Sequence, residues 1–297
     1  MPKILIIVLC FIILWGCDQT NQQGTTGSKS RNNELVDTIN STQILNINDN
    51  LFSIPSPHQV SKILIDLKIE YNPEILNPTQ NTRKYSNSYK KALNLGVYGA
   101  DLGYVNLYEK TQEAITYFSV IKILAEELDI SNAFNKETIK SIEKNLTNQD
   151  SLLHLLSNSY QDIDLFLKTN DQEHTGVLIL AGGWIESMFM LTQFAINTNN
   201  QQLCTRIGEN KHPLSNLIKI LSKYTEKNKI YQTLVDKLIT LQELYDNIEV
   251  NYTYEYSETH PEQKITKIYS KTEITISKED LKKITTEISN IRNFVIL

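Results

Sequence analysis

The sequence predicts a mainly α fold: a helical bundle with a duplicated helical hairpin, followed by a small C-terminal β-hairpin and a final helix. Three observations predict it. Apolar residues recur at helical spacing from residue 57 to about 249. From Val250 the pattern becomes alternation, with Val250, Tyr252, Tyr254 and Tyr256 separated by Asn251, Thr253 and Glu255. Alternation rich in aromatic and β-branched residues marks a strand. Finally, Gly96-Val97 and Gly103-Tyr104-Val105-Asn106 recur 80 residues later as Gly176-Val177 and Gly183-Trp184-Ile185-Glu186.

The elements run in order along the chain. Ser56-Pro57 pairs an N-cap residue with a proline at the first helical position and opens a short helix to about Ile69. Pro73 and Pro78 break the chain after it. A long helical stretch then runs from about Thr82 to Leu128, kinked near Lys110. Asn135 caps the next helix, and Asn148 restarts it through Leu167. Glu173 to Ile196 is strongly apolar, with Glu186 its one charged residue after Gly176. Beyond Asn200 come a short helix to Gly208, one opened by Pro213, and a long one to Ile248. The β-hairpin spans about 250–276: a first strand from Val250, a polar loop from Ser257 to Lys264, and a second strand from Ile268 to Ile276. Ser277 caps the final helix, with Asp280 at the capping-box position and Leu281, Ile284, Ile288 and Ile291 as its apolar stripe.

The duplication rests on the glycines. A second echo, 85 residues apart, sets Leu153, Leu156, Tyr160 and Ile163 beside Leu238, Leu241, Tyr245 and Ile248, but amphipathic helices share leucine spacing by default. Glycine costs about 1 kcal/mol against alanine inside a helix, so a repeated glycine-aromatic pattern says more. Each half would carry a glycine-bearing helix followed by a leucine-tyrosine helix, and two such hairpins make a four-helix core. Gly96, Gly99 and Gly103 share one helical face, which suits close helix packing.

The N-terminus carries a different signal. Lys3, the apolar run Ile4–Trp15 and Gly16 before Cys17 form the pattern of a secretory signal peptide. Leu14-Trp15-Gly16-Cys17 resembles the bacterial lipobox, although Trp15 is bulkier than the usual occupant. The resemblance implies cleavage after residue 16 and a lipid on Cys17. Residues 17–50 are rich in Gln, Asn, Thr, Ser and Gly and read as a flexible tether. Residues 51–297 then form one helical domain on the usual length prior. The Asn/Ile/Lys-rich body resembles uncharacterised helical lipoproteins of Bacteroidota-type bacteria, which implies the cell envelope and the outer membrane. Asp18 would instead favour the inner membrane under the enterobacterial sorting rule.

Composition excludes several classes. Loss of Lys3 with the signal takes the formal charge from −5 to −6, which argues against a nucleic-acid partner. With Cys10 removed and Cys17 lipidated, Cys204 is the one thiol of the body, so no internal disulfide is possible. The single Glu-x-x-His spacing, Glu209 to His212, adjoins Pro213 and reads as a loop. The remaining histidines are scattered, and no motif for a metal, a cofactor or a catalytic nucleophile is present.

The polar residues of the apolar helices are the candidate site. Glu186 sits in a run otherwise fit for a core, and a buried carboxylate must be paired, hydrogen-bonded or protonated. Asp101 follows the glycines of the first half on a face with Tyr104 and Tyr108. The functional reading joins Asp101, Tyr104, Tyr108, Trp184 and Glu186 around a small-molecule pocket between the hairpins; the other reading is a structural hydrogen-bond network, which is favoured. The expectation is therefore a non-enzymatic, membrane-anchored binding or scaffold protein with an envelope protein partner. Tyr252, Tyr254 and Tyr256 are expected on one hairpin face, packed on the bundle or, if exposed, available for protein or glycan contact.

Overall fold

Two glycines let two helices touch backbone to backbone at the centre of the fold. In a computed structural model of the chain, α1 (Ser88–Leu107) packs along α4 (Glu173–Thr198), and this is its most extensive helix pairing. A Cβ placed on Gly96 would lie 1.9 Å from the carbonyl oxygen of Ile179, and one on Gly182 would lie 1.8 Å from that of Leu93. Only hydrogen fits at either position. The contacts run Leu93–Gly182, Gly96–Gly183, Asp101–Glu186 and Tyr104–Phe194, so the two helices point the same way.

The structure describes residues 43–47, 50–54, 63–131, 136–146, 148, 151, 152, 155, 158, 165–263 and 265–297. These all lie within the unit Ile39–Leu297. The signal, the lipobox with Cys17, most of the tether, Ser56-Pro57, Asn135 and the echo residues Leu153, Leu156, Tyr160 and Ile163 fall outside them.

Strands β1 (Gln43–Ile47) and β2 (Asn50–Ile54) form an antiparallel hairpin. The tether expected to reach residue 50 therefore gives way to regular structure at Gln43. The proline breaks are realised as 3₁₀ turns, Pro73–Ile75 and Thr79–Lys84.

The expected long helix from Thr82 to Leu128 is two helices. Asn87 caps α1 by accepting from the backbone N–H of Lys90, and α2 (Thr111–Glu127) packs back on α1. Glu109 takes a left-handed φ of 55° between them. A non-glycine residue in that conformation leaves no mark in the sequence, so a reversal reads there as a kink.

Helix α3 (Lys136–Lys144) comes next, and the Asn148 side chain accepts from Ser151 N–H as a cap. In α4, 83% of the most apolar 18-residue window is buried. The helix is long and apolar enough to cross a bilayer, but its burial is that of a core helix. Asn200 caps α5 (Gln201–Glu209). His212 lies within α6 (Lys211–Ser222), not in a loop. Helix α7 (Lys229–Tyr245) leads to strands β3 (Glu249–His260) and β4 (Ile265–Thr275), and α8 (Lys278–Ile296) returns to the core. Ser277 caps α8 through the Asp280 N–H, as its sequence signature predicts.

The architecture of the described residues is thus mainly α, with two small β-hairpins, β1–β2 and β3–β4, and a final helix. The two halves of the echo diverge after their glycine helices: α1 leads into α2, a helix of 17 residues, and α4 into α5, a helix of 9.

Candidate functional site

The charged residues of the apolar helices meet at one place. Asp101 on α1 and Glu186 on α4 are both fully buried, and α8 brings Arg292 onto Glu186. The Arg292 guanidinium grips Glu186 with two bonds, Nε to Oε2 at 2.7 Å and Nη2 to Oε1 at 2.8 Å. Nη2 also donates to the carbonyl of Ile75 at 2.8 Å, and the cation lies 4.1 Å from the Phe189 ring centre. Such fork-shaped pairing is the strongest side-chain hydrogen bonding available to a carboxylate.

Asp101 is held differently. Its Oδ2 accepts from the backbone N–H of Asn77 at 3.2 Å, whereas its Oδ1 has no protein donor. The Glu186 carboxyl lies close enough to the Asp101 carboxyl to interact with it directly. Two ionised carboxylates cannot share that contact, so one proton must sit between them. Burial first, and then the charge of Glu186, push the Asp101 carboxyl well above the usual range, with Arg292 opposing. Burial also raises Glu186, while Arg292 pulls it back. Of the two carboxyls, Asp101 is therefore the one that favours the proton, because Arg292 stabilises the charged form of Glu186.

A network of amides and phenols surrounds this cluster. Asn77 donates to Tyr85 at 2.9 Å and to Asn94 at 3.2 Å, accepts from Asn81 at 2.7 Å, and receives the Tyr117 hydroxyl on its carbonyl at 3.1 Å. Asn94 donates in turn to the carbonyls of Lys90 and Val295. The 3₁₀ segment, α1, α2 and α8 are all joined through it.

The five expected pocket residues do not form one pocket. Trp184 lies two residues from Glu186, which sends it to the opposite side of α4. Its ring is fully buried, with Nε1 donating to Asn210 at 3.1 Å. Tyr104 and Tyr108 belong to an aromatic cluster with Tyr71 and Phe194. The Tyr104 hydroxyl accepts from Asn72 N–H at 3.0 Å, and the Tyr108 hydroxyl donates to Ile69 at 2.8 Å. Tyr71 donates to Glu113. These phenols strap the segment before α1 onto the bundle.

Sequence reasoning found Asp101 and Glu186 but missed Arg292 and Asn77. A signal for Arg292 existed: it is spaced four residues from Ile288 and so lies in phase with the apolar stripe of α8. A cation inside an apolar stripe calls for a buried anion.

Comparison with models of protein families, with curated proteins and with solved structures yields no match.

Among the described residues, the other titratable groups form no second centre. No group of three or more His, Cys, Asp or Glu is placed to hold a metal among the described residues. Glu209 pairs with Arg206 at 2.6 Å. Cys204 is buried, and burial raises its thiol, which is the setting of a packing cysteine. The described groove between α2 and α3, lined by Phe118, Ile121 and Ile139, does not reach Asp101 or Glu186.

The β3–β4 hairpin is the opposite of the sealed cluster. Ile274 at its base is buried and lies where a Cβ on Gly208 would fall 2.3 Å from its Cγ2. Gln201 also donates to the Ile274 carbonyl at 2.9 Å. Beyond this base β3 is exposed on both faces up to His260, so the hairpin is an arm rather than a layer of the bundle. The two strands also run longer than expected, because Ser257–His260 pair with β4 instead of forming a loop.

The three tyrosines do not share a face. Tyr254 pairs with Ser270 and Tyr256 with Tyr269, leaving Glu255 as the extra residue of a bulge. Adjacent residues of β4 face opposite ways, so the bulge turns Tyr256 over. Tyr256 stacks on Tyr269 at 4.4 Å between ring centres, while Tyr252 and Tyr254 stay on the other side.

Proposed function

We propose that this protein is a bacterial envelope lipoprotein, cut before Cys17, anchored by lipid on that cysteine, and acting as a non-enzymatic binding or scaffold protein through its surface. The observation that carries this reading is the contrast between the two candidate sites. Asp101 and Glu186, the carboxylates a small-molecule site would use, have no exposure to solvent and are engaged by Arg292, Asn77 and each other. Among the described residues, exposed apolar side chains gather on the arm instead, where Tyr252 is 60% and Ile268 64% exposed. Exposed apolar faces of this kind mark contact sites for other macromolecules.

The anchor reading rests on Leu14-Trp15-Gly16-Cys17 and the polar stretch after it. Two or three acyl chains, at about 0.8 kcal/mol per buried CH₂, hold a protein stably at a membrane. The resemblance of the body favours the outer membrane and Asp18 the inner one, and fractionation of the envelope separates them.

Labelling with radioactive palmitate tests the anchor. The wild type is expected to incorporate label and to sediment with membranes, and Cys17→Ser to do neither. A labelled Cys17→Ser variant or an unlabelled wild type would refute it. Glu186→Gln tests the surface reading: loss of cellular function at unchanged melting temperature would restore the small-molecule site.

A further inference from the structure

Residues 69–85 lie across the buried ion cluster as a strap, not as a packed helix or strand. Bundle side chains hold its main chain: Tyr108 at Ile69, Tyr104 at Asn72, Arg292 at Ile75, Asp101 and Tyr117 at Asn77, and Tyr98 at Pro78. Among the described residues its backbone-to-backbone bonds are local, closing turns such as Leu76 to Pro73 and Tyr85 to Thr82. Ile75, Leu76 and Tyr85 are its buried apolar side chains. The helices beneath have contacts of their own. Helix α1 meets α4 at Gly96 and Gly182, α2 packs on α1, and α8 packs on α4. A segment fastened by side-chain hydrogen bonds over a core packed without it can open while that core stays folded.

Two of the fastenings end on the cluster itself. Asp101 accepts from the Asn77 N–H, and Arg292 donates to the Ile75 carbonyl, so lifting the strap uncovers both. The closed strap suits one charge state. With Asp101 protonated, the charges of Glu186 and Arg292 cancel. With Asp101 ionised, two anions face one cation, and a net negative charge is sealed from water.

The groups around Asp101 offer no relief. They are Glu186 on α4, Arg292 on α8, Tyr98 on α1, Tyr117 on α2 and Tyr85 on the strap. Burial pushes the three phenols up, so they stay uncharged, and Arg292 is the one cation of the set. A buried charge without a partner is costly, and water reaching it removes that cost. The other walls of the cluster are helices tied into the core. The strap is the wall that moves with least loss.

We infer that residues 69–85 form a proton-gated lid: protonated Asp101 lets the strap seal the Asp101–Glu186–Arg292 cluster, and loss of that proton opens the strap while the helices stay folded. The lid does not depend on the lipid anchor or on the surface role proposed above.

Hydrogen exchange of the full chain, read by mass spectrometry and corrected for intrinsic rates, tests it. At pH 5, peptides from residues 69–85 are expected to be protected, but at least about tenfold less than peptides from α4, because the strap opens without the helices. By pH 9 their protection is expected to fall at least about tenfold further, while α4 stays protected and the circular dichroism stays helical. Asp101→Asn is expected to keep the strap equally protected at both pH values. Equal protection of strap and α4 at each pH would overturn the inference, since the strap would then open only with the whole fold. So would strap protection that does not change with pH, or a fall of wild-type size in Asp101→Asn. A second measurement on the wild type stands even if that variant does not fold. The infrared band of a protonated carboxyl is expected to persist above pH 6 and to vanish over the same pH range in which the strap loses protection. Absence of the band above pH 6, or its loss over a different range, would overturn the gating by Asp101.

Discussion

The α1–α4 crossing and the β3–β4 arm meet opposite demands with the same kind of residue. At the crossing, polar groups are buried and must satisfy one another; on the arm, apolar groups are exposed and nothing within the described residues covers them. Asp101 and Glu186 stand out in the sequence for being polar in an apolar run, and they prove to be internal. Tyr252 and Tyr254 were expected to pack inward, and they face out. Chemical oddity in a sequence marks a place where something must be matched, but the match can lie inside the fold or outside it.

The sharpest break of the comparison is at the crossing. Gly96→Ala or Gly182→Ala drives a methyl carbon into the opposing backbone, at 1.9 and 1.8 Å. Backbone on both sides cannot give way as a side chain would, so α1 and α4 must separate. The expected loss is more than about 4 kcal/mol, in the range reserved for the most disruptive substitutions, and urea denaturation followed by circular dichroism measures it.

Next in size is the ion pair. Arg292→Met leaves Glu186 buried without its cation, and is expected to cost about 3–5 kcal/mol. Replacing Glu186 by Met as well removes the stranded charge and should recover most of that loss. If the double variant is no more stable than the single, the pairing of Arg292 with Glu186 is not what matters.

A smaller effect is expected at the arm's root. Ile274→Ala removes the side chain seated over Gly208 and is expected to cost about 2–3 kcal/mol, in line with other buried isoleucines. The smallest belongs to the exposed face: Tyr252→Ser should leave stability within about 0.5 kcal/mol of wild type, as surface changes do. A large loss there would mean that the arm packs on its own body.

Much of the fold was legible because it is local. Helical spacing located α4, α5, α7 and α8, Asn200 and Ser277 capped where their residue types predict, and alternation found β3 and β4. What was hidden depends on backbone conformation or on distance. The reversal at Glu109 uses a left-handed residue that is not glycine, and the bulge at Glu255 is invisible to a pattern of period two. Gly96 does mark close packing, but it crosses at Ile179, Gly182 and Gly183, whereas its echo Gly176 faces the Leu167 side chain, and Trp184 and Glu186 look alike in sequence and point apart in space. Arg292 is 106 residues from Glu186, and no local pattern links them.

The shared proton gives the cluster a pH signature. The Asp101 carboxyl is raised in the folded state above its unfolded value of about 3.9. A raised carboxyl contributes stability that is complete below the unfolded value and is lost as pH rises toward the folded one, by up to about 1.4 kcal/mol per unit. Asparagine at position 101 keeps both bonds, accepting from Asn77 and donating to Glu186, without a proton to lose. The deciding measurement is the urea stability of wild type and Asp101→Asn at pH 5 and pH 8. With Asp101 protonated in the fold, the variant gains on the wild type by more than about 1 kcal/mol between the two. Parallel pH dependence, or a variant that weakens as pH rises, would contradict a protonated Asp101 held between Asn77 and Glu186.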